Sequence, residues 1–216
     1  HIEGPFFNVK YRGVHQKQYI STINSDYLNL FESIKSFPVM LTLAPECISS
    51  KQLKHLTSLG IKTLAGHSDA SYDELDEAIK NGLDGFTHLF NAMSQISARE
   101  PGVVGAALHF ENTFASIIVD LHHVHPSLIQ LAYESKPKGK LFFISDSMAT
   151  IHHGEPSFEL YDEVVKAAGL TGSEIVFDLY CGTGTIGLYL ANQVKEVYGF
   201  EIIRSALEDA EKNAEK

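Results

Sequence analysis

The chain has no tryptophan, only two cysteines (Cys47 and Cys181), and fewer basic than acidic residues. Two cysteines exclude a disulfide scaffold and fit a reducing compartment. Seventeen Lys+Arg against 27 Asp+Glu give a formal net charge of −10. That balance argues against a nucleic-acid partner, because neutralising phosphates needs clustered Lys and Arg. No apolar run approaches the roughly 18–20 residues of a membrane span, so no membrane partner is expected. No signal-peptide pattern opens the chain, and its first residue is His1 rather than Met, which reads as a processed or cut end of a cytoplasmic protein. What remains is ordinary globular material: 216 residues, 44% hydrophobic and 20% charged. A chain of this length buries roughly 70% of its unfolded surface, enough for one domain or two small ones.

Histidine is unevenly spread. All eleven lie at or before His153, and Phe158–Lys216 has none. That tail carries 5 Lys+Arg and 11 Asp+Glu, a net charge of −6 against −4 for the rest. A seam near Pro156–Tyr161 is expected, dividing residues 1–157 from 158–216.

Short β-rich runs alternate with polar, helix-like stretches. Strands are expected at His1–Glu3, Val39–Leu43, Ile61–Leu64, Gly85–His88, Ala115–Val119, Leu141–Ile144, Ile175–Leu179 and Glu196–Ile202. Helices are expected at Ser50–Leu59, Tyr72–Asn81, Pro126–Glu134, Phe158–Ala168, Ile186–Val194 and Ser205–Ala214. Alternation of this kind means parallel α/β architecture. Eight β/α units fit a closed (β/α)₈ TIM-like barrel, with an open parallel sheet carrying a Rossmann-like appendage as the alternative. Gly60, Gly82, Gly139 and Gly172 each stand before a strand, where a helix end uses a left-handed residue.

Parallel α/β proteins place their chemistry at the C-terminal ends of strands. Four expected strands end in a metal-ligand type or an acid: Glu3, His67, His88 and Asp146. One Glu and two His make a zinc-type donor set with positions left for water and substrate. A neighbouring Asp can take and return a proton. The other reading is that strand-end polar side chains simply satisfy loop backbone.

Several ordered motifs resemble the N-acetylglucosamine-6-phosphate deacetylases of the amidohydrolase superfamily. They are His1-Ile2-Glu3-Gly4-Pro5-Phe6, Gly13-Val14-His15, Thr42-Leu43-Ala44-Pro45-Glu46, Gly66-His67-Ser68-Asp69-Ala70 and Thr87-His88-Leu89-Phe90-Asn91-Ala92-Met93. Arg99-Glu100-Pro101-Gly102, Asp120–Pro126 and Ile144-Ser145-Asp146-Ser147-Met148-Ala149 continue the pattern to about residue 155. The resemblance implies zinc or another divalent metal on Glu3, His67 and His88. It implies Asp146 as catalytic acid/base and His15 as the residue polarising the acetamide carbonyl. It places Asn91, Ala92, Arg99 and His123 on an amino-sugar phosphate, with Arg99 reaching across a homodimer interface. The family's earlier strand with a His-x-His motif and its small β-sandwich are not in this sequence.

The tail has another character. Ile175–Gly187 reads as strand, glycine-rich turn and helix start, with Gly-x-Gly-x-x-Gly at Gly182, Gly184 and Gly187 and an acid, Glu201, ending the next strand. Asp178-Leu179-Tyr180-Cys181-Gly182 resembles the S-adenosylmethionine-binding start of RNA uracil-5-methyltransferases. That resemblance implies cofactor contacts at Asp178, Gly182, Gly184, Gly187 and Glu201, but RNA methylation is not expected because the family's downstream catalytic residues are missing. The other reading is that the glycines serve only a tight β/α turn. Six deacetylase-like and two methyltransferase-like units would total eight, so the expectation is a recombined or engineered chimera: a hybrid barrel scaffold with at most residual deacetylation of N-acetylglucosamine 6-phosphate. The alternatives are an active deacetylase fragment, or a module binding S-adenosylmethionine or an anion.

Overall fold

The computed structural model describes residues 1–146, 170–179, 185–200 and 204–215. The expected helix at 158–168, the seam at 156–161, and Gly182, Gly184 and Glu201 lie outside these residues. The chain divides into two compact units, His1–Ala115 and Ser116–Lys216. Among the described residues no helix is long and apolar enough to cross a membrane.

The first unit is parallel α/β. Strands β1 (Ile2–Glu3), β2 (Met40–Leu43), β3 (Lys62–Ala65), β4 (Gly85–Phe86) and the start of β5 (Phe114–Ile118) pair in chain order. Helices α1 (Ser25–Ile34), α2 (Ser50–Ser58), α3 (Tyr72–Lys80) and α4 (Gly102–His109) fill the connections. Side-chain caps fix where three of them start. The Asn24 side chain accepts from the backbone of Asp26 and Tyr27 at α1. Reciprocal capping boxes, Ser49 with Gln52 and Ser71 with Glu74, start α2 and α3. Gly60 and Gly82 close α2 and α3 with φ of +80° and +108°, as expected of left-handed helix ends.

Alternation along the strands separates two layers. Leu41 and Leu43 join Phe6, Ile23, Phe31, Leu56 and Ile61 in the buried cluster. Phe6 meets Tyr27 edge-on at 4.8 Å between ring centroids. The opposite face carries Glu3, Thr42, Leu64 and Gly85, which the register places side by side across four strands. The site grows from that face.

Two helices escaped the sequence reading. In α1, the cap lies at Asn24, and the segment is as amphipathic as the helices that were expected, so it was missed rather than unmarked. In α4, Val103, Val104, Ala106 and Ala107 are all buried, so no amphipathic stripe marks it. Its glycines and valines are also poor helix formers, and tertiary burial decides its state.

The second unit contains the rest of β5, helix α5 (Pro126–Ser135), β6 (Leu141–Ile144), β7 (Ile175–Leu179), helix α6 (Thr185–Leu190), β8 (Glu196–Phe200) and helix α7 (Arg204–Ala214). Its strands are parallel in the order β5-β6-β7-β8. Closure of a hybrid ring is not needed to assemble the candidate metal ligands, since β1, β3 and β4 carry them all within the first unit.

Gly85 faces the tightest spot in the first sheet, where an added Cβ would lie 2.3 Å from the Phe114 carbonyl oxygen. Backbone of a neighbouring strand cannot swing aside. Gly85→Ala is expected to lower stability by about 2 kcal/mol, the scale of overpacking, read as a lower urea midpoint at unchanged slope.

Candidate metal centre

Glu3 ends β1, while His67 and His88 each lie two residues beyond β3 and β4. The three side chains meet. Glu3 Oε1 lies 2.9 Å from His67 Nε2 and 3.1 Å from His88 Nε2, and the two Nε2 atoms are 3.0 Å apart. Both histidines are buried. Burial raises the Glu3 pKa, and only proton donation or positive charge at His67 and His88 brings it below its usual range.

The tautomer of His67 decides what this triangle means. Its Nδ1 lies 2.8 Å from the Tyr11 carbonyl oxygen. A carbonyl only accepts, so Nδ1 carries a proton, and the neutral ring presents a lone pair at Nε2. That lone pair faces an ionised carboxylate oxygen. A proton on Nε2 shared between Glu3 and His88 would lie about 30° off the line to each, a bent pair of bonds weaker than one straight one. One cation satisfies all three atoms at once. Tetrahedral zinc bonds of about 2.0–2.1 Å would place donors about 3.3–3.4 Å apart, a few tenths of an ångström wider than this triangle. The donor set, one carboxylate and two imidazoles with a backbone carbonyl fixing one tautomer, fits a divalent metal.

The surroundings hold the ring in place. Phe7 packs against His67 at 4.2 Å with the rings tilted by 34°, and His15 meets it edge-on at 4.9 Å. Donor atoms of Glu3, His15 and His67 all lie within 4.8 Å of one another, so His15 opens onto the same point. Next to Glu3 is a cavity of about 80 Å³ lined by Pro5, Phe7, His15, Gln16, Tyr19 and Ile20. Glu46 fastens the loop after β3: its carboxylate accepts from Asn8 Nδ2, Ser68 Oγ and the Asp69 N–H at 2.7–3.0 Å.

His67, His88 and Ala92 have positive φ, at 51°, 37° and 45°. Non-glycine residues in that region cost about 1–3 kcal/mol each and gather at functional sites. Asn91 and Ala92 follow His88 in a loop joined to the one after β3, where the Ser68 N–H donates to the Ala92 carbonyl at 3.3 Å. Arg99 is exposed on the same connection, before α4.

No family model matches the chain. Among curated proteins, it is 36% identical over 171 residues to N-acetylgalactosamine-6-phosphate deacetylase of Shewanella sp. (strain ANA-3), covering 79% of this chain and 43% of that protein. It is 33% identical over 186 residues to N-acetylglucosamine-6-phosphate deacetylase of Vibrio furnissii, covering 81% and 46%. Among solved structures, N-acetylglucosamine-6-phosphate deacetylase of Pasteurella multocida superposes with a TM-score of 0.70 at 30% identity, over 78% of this chain and 52% of that one. The chain is homologous to N-acetylglucosamine-6-phosphate deacetylases. It spans about half the length of the curated relatives it matches. The expected methyltransferase character of the tail, with its S-adenosylmethionine, finds no support in these deacetylase relatives.

Two further deacetylase-like positions belong to the second unit. Asp146 follows β6 with φ of 50°, the same unusual backbone as His67 and His88. His123 is exposed, and its Nδ1 lies 2.6 Å from Asp120 Oδ2, while Asp120 Oδ1 accepts the N–H groups of His122 and His123. In the tail, Asp178 is buried and its Oδ2 accepts the Gly187 N–H at 3.0 Å. A Cβ at Gly187 would lie 3.1 Å from Val197 and 3.2 Å from Asp178. These two residues tie the start of α6 to β7 and β8.

The sequence reading passed over Tyr11, Thr42 and Thr87. Tyr11 acts through its carbonyl, which no side-chain pattern reveals. Thr42 left a trace: a hydroxyl between two leucines in a strand buried on both faces.

Asp120 gives a pH prediction. Burial would raise its pKa, but the hydrogen bonds from His123 and His122 hold it below the ordinary 3.8. A carboxyl with a lowered folded pKa contributes stability that is complete above the unfolded value and lost as pH falls through the folded one. Asp120→Asn should therefore cost stability near pH 7 and show less additional acid sensitivity than the unsubstituted chain, measured by urea unfolding at about pH 6 and about pH 3.

Proposed function

We propose that this chain carries the metal-binding part of an N-acetylhexosamine-6-phosphate deacetylase, an amidohydrolase that releases acetate from the acetamide of an amino-sugar phosphate. The convergence of Glu3 Oε1, His67 Nε2 and His88 Nε2 on one point carries the reading. Relatives named for N-acetylglucosamine 6-phosphate and for N-acetylgalactosamine 6-phosphate support the substrate class. The tail is assigned no separate activity.

Glu3, His67 and His88 would hold a divalent cation, which supplies Lewis-acid polarisation of the acetamide and lowers the pKa of water. His15, beside Glu3 and His67, hydrogen-bonds the acetamide oxygen and stabilises the negative charge that develops there. Asp146 takes a proton from the attacking water and delivers it to the departing amine, cycling between carboxylate and acid. Asn91 and the Ala92 backbone orient the sugar. Arg99 takes its phosphate, a guanidinium paired with an anion, and His123 is the other phosphate contact that the resemblance implies. Arg99 is the residue through which a second copy would complete the site.

Zinc content and acetate release test the reading together. The purified chain should hold about one zinc per chain and release acetate from one of the two sugar phosphates. Asp146→Asn should lower that rate by about 100-fold or more while leaving the zinc in place. A folded chain without zinc, or a rate unchanged by Asp146→Asn, would contradict it.

A further inference from the structure

Beneath the three donors lies a chain of buried hydroxyls that the proposed reaction does not use. His1 Nε2 is 2.6 Å from Thr42 Oγ1, and Thr42 Oγ1 is 2.5 Å from Thr87 Oγ1. Thr42 is 0% and Thr87 2% exposed. The pair is unusual in its topology. Thr42 sits on β2 and Thr87 just beyond β4, so β3 runs between them. Adjacent strands lie about 4.8 Å apart, so backbones two strands apart are separated by about 9–10 Å. Two threonine side chains can meet across that span only if the intervening residue leaves the space empty.

The intervening residue is Gly66. A Cβ there would lie 2.7 Å from Thr42 Cγ2 and 3.1 Å from Thr87 Cβ. Each end of the tie adjoins a donor. Thr42 is the register partner of Glu3, and its carbonyl accepts the Gly4 N–H at 2.9 Å. Thr87 is bonded to His88. Ladder hydrogen bonds fix each strand only to its neighbours, so they leave the curl across three strands free to vary. The hydroxyl contact spans that curl directly.

We propose that Thr42 is a positioning residue of the donor triad: tied to Thr87 over the bare backbone of Gly66, it sets the separation of Glu3 from His88. The inference rests on the reading that these donors hold a divalent metal. Removing a buried hydroxyl also leaves Thr87 and His1 short of a partner, so the effect on metal must be separated from the effect on stability.

Zinc affinity of the metal-stripped chain, measured by competition with a chromogenic chelator, makes that separation. Thr42→Val keeps the shape and removes the hydroxyl, and should weaken zinc binding about 10–100-fold, the usual cost of losing a residue that orients ligands. Thr87→Val breaks the tie from its other end and should do the same. Thr42→Ser restores the hydroxyl and should restore affinity. Thr63→Val removes an equally buried hydroxyl from β3, away from the tie, and should lower the melting temperature without weakening zinc. Unaltered affinity in folded Thr42→Val, or an equal loss in Thr63→Val, would overturn the proposal. Absence of zinc binding by the unsubstituted chain would instead overturn the reading of the triad itself, and the tie with it.

Discussion

The site turns on one hydrogen bond, from His67 Nδ1 to the Tyr11 carbonyl. It places a lone pair rather than a proton on the nitrogen facing Glu3, in the neutral ring. Two acceptors then stand 2.9 Å apart inside the protein, with the His88 ring nitrogen at similar distance from both. Such a cluster repels itself unless a proton on His88 Nε2 or a cation at its centre relieves it, and in a low-dielectric interior that repulsion is large. A main-chain carbonyl is a robust way to fix the tautomer, since no side-chain substitution removes it.

The fold brings the donors together through the parallel sheet of the first unit. Strand ends β1, β3 and β4 deliver Glu3, His67 and His88, and the residues around them depart from ordinary backbone. All six non-glycine residues with positive φ among the described residues follow strand ends, at His67, His88, Phe90, Ala92, Leu121 and Asp146. All six lie in the quoted sequence motifs, and four of them, His67, His88, Ala92 and Asp146, carry a role there. Packing and hydrogen bonds absorb the strain: Glu46 fastens the loop after β3, and Phe7 backs the His67 ring. Thr42, Gly66 and Thr87 then belong to the same device, holding the sheet's curl at the spacing the donors need.

Much of this is legible in the amino-acid sequence. Strands β2, β3, β6 and β7 lie within a residue or two of their expected bounds, because each is a compact apolar run bounded by glycine or polar turns. The ligand types at three strand ends are legible because parallel α/β proteins gather their chemistry at the C-terminal ends of strands. Helix α4 is not, since a helix buried over most of its surface has no clear periodic pattern. The Tyr11 carbonyl is not, because backbone groups leave no compositional signal. The tail misleads for a physical reason: a glycine-rich strand–turn–helix serves close packing as well as cofactor binding. Asp178 and Gly187 show the packing use, with the carboxylate accepting the helix N–H and the missing Cβ letting the helix approach the strand.

Nitrogen-15 NMR of the histidine side chains during zinc titration tests the central claim most directly, because it reports both nitrogens of each ring. The account predicts that His67 keeps its Nδ1 proton throughout while its Nε2 resonance, and one nitrogen of His88, move to metal-bound positions at one equivalent. A His67 ring protonated at Nε2 rather than Nδ1, or Nε2 resonances of His67 and His88 unmoved by zinc, would contradict it.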